Sequence, residues 1–236
     1  MSAAQSSQLT AAGAQRNRIS NVSLHSGGVP CIAVFFCLRY DCDMNRTQLI
    51  EEVRNYRPFN EQEERDRRII LEKLETVPDL FLRTNLTEHM TASAWVVNHD
   101  RTKLLMAYHK IYDSWSWLGG HADGEEDLRR VALTEVSEES GIRNVTLLRP
   151  DILSLEILTV DGHEKKGQYV PSHLHLNITY LIEADDREAT HIREGENTGV
   201  AWFGIEEAVA ASSEPWFRER IYAKLNAKLR AERIIC

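Results

Sequence analysis

The sequence predicts an α/β domain with an additional helical segment on its N-terminal side. Three observations lead there. The chain has 236 residues, 42% of them apolar, which suffices for one core with an appendage and is short for two full domains. Apolar residues recur at helical spacing between Leu49 and Val77. From Met90 onward the period changes to alternation on short runs, interrupted by one central helix and closed by another.

Composition narrows the function. A net charge of -8 argues against a nucleic-acid polymer as partner, because such surfaces draw their affinity from clustered Lys and Arg. A small anionic substrate would then need a metal intermediary. The cysteines, Cys31, Cys37, Cys42 and Cys236, form no C-x-x-C pair and support neither a disulfide framework nor a zinc site. The longest apolar run, Val29 to Leu38, is about half of the roughly 20 residues that a bilayer-spanning helix needs. No membrane partner and a cytoplasmic location are therefore expected.

Residues 1–43, rich in Ser, Ala, Asn and Gly before an abrupt apolar patch, read as a disordered extension. The helical pattern Leu49, Ile50, Val53, Tyr56 starts just after Met44, so Met44 itself is a candidate initiator; native peptides from residues 1–43 in mass spectrometry would remove that idea. Residues 44–88 are expected to form a helical cover. Its second helix opens at Asn60, paired with Glu63 as a cap, carries Ile70, Leu71, Leu74 and Val77, and ends before Pro78. Residues 89–236 form the main domain. Ala92, Ala94, Val96 and Leu104, Met106, Tyr108 flank Asn98 to Arg101 as a hairpin. Leu174, Leu176, Ile178, Tyr180 and Ile182 alternate strictly, which leaves His173, His175, Asn177 and Thr179 on the other face. Val200 to Phe203 is a further short strand. A last helix is capped by Ser213, has Pro215 in its first turn and buries Phe217, Ile221, Leu225 and Leu229.

The informative stretch runs from Gly119 to Ile142 and reads as loop, helix, stop. Asp123 and Glu126 are spaced as a reciprocal cap, and Gly141 suits the exit. Projected at about 100° per residue, Leu128, Val131 and Ala132 define an apolar sector into which Glu135, Glu138 and Glu139 also fall. Three carboxylates at i, i+3 and i+4 repel one another, and a hard cation is the natural compensation. Oxygen-only ligands favour Mg2+ or Mn2+ over zinc. A solvated acidic face is the competing reading of the same cluster.

The spacing matches Gly-x5-Glu-x7-Arg-Glu-U-x-Glu-Glu-x-Gly-U, with U a bulky aliphatic: Gly120, Glu126, Glu135, Val136, Glu138, Glu139, Gly141 and Ile142 are in register. The chain thereby resembles the Nudix hydrolases. Over about residues 45–235 it is similar to a bacterial subgroup whose box opens Gly-Gly-His-Ala-Asp-Gly. The resemblance implies an α/β/α sandwich with a mixed sheet and hydrolysis of a nucleoside diphosphate linked to another moiety. By matching position it makes Glu135, Glu138 and Glu139 catalytic metal ligands, adds the Gly120 carbonyl to that set, and gives Glu126 a supporting role.

One box position departs: Thr134 stands where the family has Arg. In the family that arginine is thought to orient the neighbouring glutamates, which a short hydroxyl cannot do. Arg130, four residues from Glu126, could pair with it in compensation, or simply extend into solvent. The departure motivates an alternative from another class, a non-catalytic module that binds a nucleotide metabolite. An isomerase on the same fold is disfavoured, because no cysteine lies between residues 43 and 235. Outside the box, Glu196 sits on a loop before a strand as a candidate general base, against the plainer reading of an exposed acidic loop. His121, Lys165, His173 and His175 are candidate substrate contacts. The expected partner is a small diphosphate-containing metabolite, and a homodimer is compatible with the sequence.

Overall fold

The structure, a computed structural model, describes residues 44–110, 113–165 and 167–235; the extension expected over residues 1–43 lies outside them. Two helices come first, α1 (Arg46–Asn55) and α2 (Glu61–Thr76). Asn45 caps α1 by accepting from the Gln48 N–H, and Gln48 accepts from the Asn45 N–H in return. Asn60 caps α2 by accepting from the Glu63 N–H. Glu63 does not return that bond as a reciprocal cap would; its carboxylate accepts from the Phe59 N–H and the Tyr56 hydroxyl instead. Leu49, Val53, Ile70 and Leu74 are fully buried, and α2 stops before Pro78, whose ring cannot continue a helix.

Eight strands form one mixed sheet: β1 (Glu88–Val97), β2 (Lys103–His109), β3 (Ser114–Ser116), β4 (Leu118–His121), β5 (Val145–Leu147), β6 (Ser154–Val160), β9 (His173–Ala184) and β10 (Asn197–Gly204). Between β6 and β9, β7 (His163–Lys165) and β8 (Gln168–Val170) pair as a separate hairpin. The spine is β1 beside β9, parallel from Glu88–Leu174 to Val97–Glu183. The other edge of β1 is shared by β2 and β4, and the other edge of β9 by β5 and β6, all antiparallel. β10 extends the sheet beyond β2.

Helices cover both faces. On one, α3 (Leu128–Ser140) buries Leu128, Val131, Ala132 and Val136 against Ala92, Ala94, Leu176 and Ile178. On the other, α4 (Ile205–Ala211), a π-helical turn (Phe217–Tyr222) and α5 (Ala223–Ala231) pack on Trp95, Val97, Leu104 and Leu181. This is the expected α/β/α arrangement.

Asn177 and Thr179, on the polar face of β9, are fully buried beside Glu156 of β6. Asn177 Oδ1 accepts from Thr91 (3.0 Å) and Ser93 (2.9 Å), and its Nδ2 donates to Glu156 (3.3 Å), so this polar stripe satisfies itself. Ser213 does not cap the last helix; its hydroxyl donates to the Asp113 carbonyl, while Ser212 Oγ accepts from the Glu214 N–H. Ile221, Leu225 and Leu229 are buried as the periodicity requires, but Phe217 is only partly so, and the π-turn shifts the helix phase between them.

A buried charge cluster joins distant parts of the chain. Lys228 of α5 contacts Glu63 of α2 at 2.9 Å, and Lys224 contacts both Glu63 (3.1 Å) and Glu156 of β6 (2.9 Å). Burial pushes the Glu63 carboxyl up, but Lys224 and Lys228 outweigh it and hold its pKa down to about 2.

Candidate active site

The loop after β4 sets the entry of α3, though not as the spacing suggested. Asp127 is the N-cap, accepting from the Arg129 N–H at 3.2 Å. Asp123 instead adopts φ 50° and pairs with Arg83. Glu126 precedes the helix and accepts from the Arg46 backbone N–H at 2.9 Å, which ties α1 to the loop. Arg130 pairs with Glu125, 2.9 Å away.

Along α3 the anionic residues separate by depth. The Glu139 side chain is 2% exposed, that of Glu135 18%, and that of Glu138 47%. Thr134 is exposed. Two glycines of β4 lie against the buried pair. Gly119 donates its N–H to Glu139 Oε2 at 3.0 Å, and a Cβ on Gly120 would collide with the Glu135 carboxylate. Only a glycine allows the strand to approach so closely, which brings the Gly120 backbone alongside the carboxylates.

A loop distant in sequence completes the cluster. Asn197, at the start of β10, donates from Nδ2 to the Glu139 carbonyl (2.9 Å) and accepts from the Arg193 N–H (3.1 Å). The His191 N–H donates to the Ser140 carbonyl at 2.7 Å. These bonds fold residues 191–197 onto the C-terminal end of α3. Glu196 arrives there, and carboxylate oxygens of Glu135, Glu139 and Glu196 lie within 4.8 Å of one another. Arg193 arrives with it and contacts Glu135 (3.1 Å), Glu138 (2.8 Å) and Glu196 (3.1 Å). His109, at the end of β2, sits 3.7 Å from Glu139. Neither Arg193 nor His109 is visible as a site residue from local spacing.

The electrostatics follow from burial and like charge. Burial raises the Glu139 pKa to about 8, against the Gly119 N–H, with Glu135 and Glu196 adding repulsion. Burial likewise raises Glu135, although Arg193 opposes it. Burial lowers the His109 pKa.

The profile of the NUDIX domain matches residues 87–225. The chain belongs to the Nudix family. With that the resemblance read from the box is met, and so are the fold class and the enzyme class, a Nudix-type hydrolase. No curated protein matches the chain. Among solved structures, this Nudix protein is similar to a Nudix-family hydrolase from Clostridium perfringens, with 23% identity over 61% of this chain and 97% of that one and a TM-score of 0.43. It is also similar to an Ap4A hydrolase of C. elegans in a binary complex (19%, 61%, 97%, TM-score 0.45) and to MutT of Methanosarcina mazei Go1 (17%, 59%, 93%, TM-score 0.40).

In this Nudix protein the donor set fits a hard divalent cation. Glu135, Glu139 and Glu196 offer oxygen only, and Glu139 is almost fully buried among them. The other expected site residues lie elsewhere. His121, His173 and His175 gather with His89, on the face of the sheet opposite α3. Lys165 falls on β7, and its side chain is outside the described residues. Two surface clefts, one lined by Asp185 and Arg187 and one by Trp216 and Arg220, contain none of the box carboxylates.

Proposed function

We propose that this Nudix protein hydrolyses a phosphoanhydride bond in a small nucleoside-diphosphate-linked metabolite, with Mg2+ or Mn2+ held by Glu135, Glu139 and the Gly120 carbonyl. The observation that carries the proposal is the convergence of Glu135, Glu139 and Glu196 within 4.8 Å, with Glu139 almost fully buried. Such a cluster is unfavourable without a cation. A bound divalent ion supplies charge neutralisation at the phosphate oxygens and lowers the pKa of bound water.

The chain's own residues do the rest. Gly119 fixes one Glu139 oxygen through its N–H, and His109 lies 3.7 Å from the other. Arg193 bridges Glu135, Glu138 and Glu196 and supplies the guanidinium that position 134 lacks. Glu196, at the mouth of the cluster, accepts the proton from the attacking water. Glu138, on the rim and held by Arg193 at 2.8 Å, would add a ligand on the solvent side of the cation. Because a guanidinium is present, Thr134 does not by itself favour the binding-only module.

The substrate is a small metabolite and not a polymer, in keeping with the net charge of -8. The test is turnover of nucleotide sugars, dinucleoside polyphosphates, ADP-ribose, coenzyme A and nucleoside triphosphates with Mg2+, by wild type and by Glu139→Gln. Loss of rate in the variant supports the proposal. A parental rate overturns it, and tight ligand binding by wild type without turnover would select the binding module.

A further inference from the structure

Four of the nine histidines of the chain converge on one point. His89 of β1, His121 of β4, and His173 and His175 of β9 each offer a ring nitrogen, and these atoms lie within 4.8 Å of one another. We infer that His89, His121, His173 and His175 form a second metal site, for a divalent transition ion of zinc's class. It is distinct from the carboxylate cluster in position and in chemistry.

Position follows from the pleat. Thr91 faces His121 and Ala92 faces Gly120 across β1 and β4. Neighbouring side chains point to opposite faces of a sheet, so the side of Gly120 that meets Glu135 is turned away from the side that carries His121. In the parallel pair, His89 stands beside His175, and His173 is two residues back on the same face. All four imidazoles therefore share the face opposite α3. Ring centroids of neighbouring pairs are 4.8 to 5.1 Å apart.

Two of the rings are already oriented as ligands. The Nδ1 of His89 lies 3.0 Å from the Asn85 carbonyl and that of His173 lies 2.8 Å from the Pro171 carbonyl. A carbonyl only accepts, so each Nδ1 carries the hydrogen and each Nε2 presents a lone pair to the cluster. This arrangement, a carbonyl holding the far nitrogen, is the one that fixes metal-bound imidazoles. His173 Nε2 and His175 Nε2 are 3.1 Å apart, near the roughly 3.3 Å edge of a tetrahedron with metal–nitrogen bonds of about 2.0 Å. His89 Nε2 is buried with no hydrogen-bond partner. A buried orphan of that kind calls for a ligand.

Ligand chemistry selects the class of ion. A set made only of imidazole nitrogen suits zinc, copper or nickel and is a poor host for Mg2+. An anion is the other candidate occupant, but it needs protonated rings. Four protonated imidazoles with ring nitrogens within 4.8 Å of one another would repel strongly in so buried a place. Entry is available, since His121 and His175 are only half-buried while His89 and His173 are closed over. An ion here would tie the starts of β1 and β9 to the end of β4, the strand whose glycines lie against Glu135 and Glu139.

The test uses the full chain stripped with chelator and titrated with Zn2+ and, separately, Co2+ in excess Mg2+, which keeps the carboxylates occupied. Expected are about one equivalent of Zn2+, tetrahedral Co2+ absorption bands, and a raised Tm on Zn2+ addition. His121→Gln and His175→Gln should each weaken Zn2+ by at least ~10-fold and abolish the Co2+ bands, whereas Glu139→Gln should leave both intact. Circular dichroism confirms the fold of each variant, and His121→Gln, at the half-exposed rim, serves if His175→Gln does not fold. Absence of Zn2+ binding by wild type, or binding unchanged in both histidine variants, overturns the inference.

Discussion

Glu139 concentrates the chemistry of the carboxylate cluster in one side chain. Its pKa of about 8 in the folded protein lies far above the ~4.3 of an unfolded glutamate. Between those values the metal-free folded state holds a proton that the unfolded state has released, so stability from this group is present at low pH and lost as pH rises through 8. A cation held by Glu139, as proposed, would expel that proton. Calorimetric titration with Mg2+ at pH 7, in two buffers of different ionisation enthalpy, should report release of about one proton; heats independent of buffer would show that Glu139 is already ionised. Arg193 makes a second prediction at this scale. Its guanidinium would compete with a bound cation for Glu135 while holding Glu138 and Glu196 in place. Arg193→Ala should bind Mg2+ severalfold more tightly yet turn over ~10-fold or more slowly, and Arg193→Lys should not recover the rate, because an ammonium cannot bridge three carboxylates in a fixed plane. With Arg193 present, Thr134→Arg, at an exposed position, should change the rate by no more than about twofold; a large gain would instead show that the site lacks its arginine.

At the scale of elements, α3 is positioned from both ends by segments far away in the chain. Its start is held by the Met44 and Arg46 backbone N–H groups on Asp127 and Glu126, and its end by Asn197 and His191. Asn197→Ala removes both the bond to α3 and the bond to Arg193, so it should lower activity without touching any carboxylate; an unaltered rate would mean that the loop holds its place by other contacts. The periodicity of α3, its glycine exit at Gly141 and its apolar sector were legible in the sequence, because they depend on residues within two turns of each other. The cap was not. Asp123, Glu126 and Asp127 are equally good local candidates, and Arg83 and Arg46, which take up the first two, are brought in by tertiary contacts.

Over the whole molecule, the Glu63, Glu156, Lys224 and Lys228 cluster fastens the N-terminal helices to β6 and the C-terminal helix. Removing one partner leaves a buried charge uncompensated, so Lys224→Met should cost roughly 3 kcal/mol in urea denaturation, and a loss well under 1 kcal/mol would show that water relieves the vacancy. The Glu63 pKa of about 2 is depressed from its unfolded value. Its contribution is therefore complete above about pH 5 and disappears as pH falls towards 2, so acid unfolding of wild type should begin in that window and Glu63→Gln should flatten it.

The sequence by itself determined the two N-terminal helices, the hairpin of β1 and β2, the alternation of β9, and the carboxylates of α3. These are short-range matters of periodicity, spacing and repulsion between neighbours on one helix. Tertiary structure alone decided that Glu196 joins the cluster, that Arg193 lies against Glu135, Glu138 and Glu196, and that Asn177 and Thr179 of β9 are interior. It also decided that His121, His173 and His175 meet His89 across β1 and not the carboxylates. Each of these outcomes rests on parallel pairing of β1 with β9 and on residues 191–197 folding back onto α3. Such contacts between segments remote in sequence leave no period in the chain from which to read them.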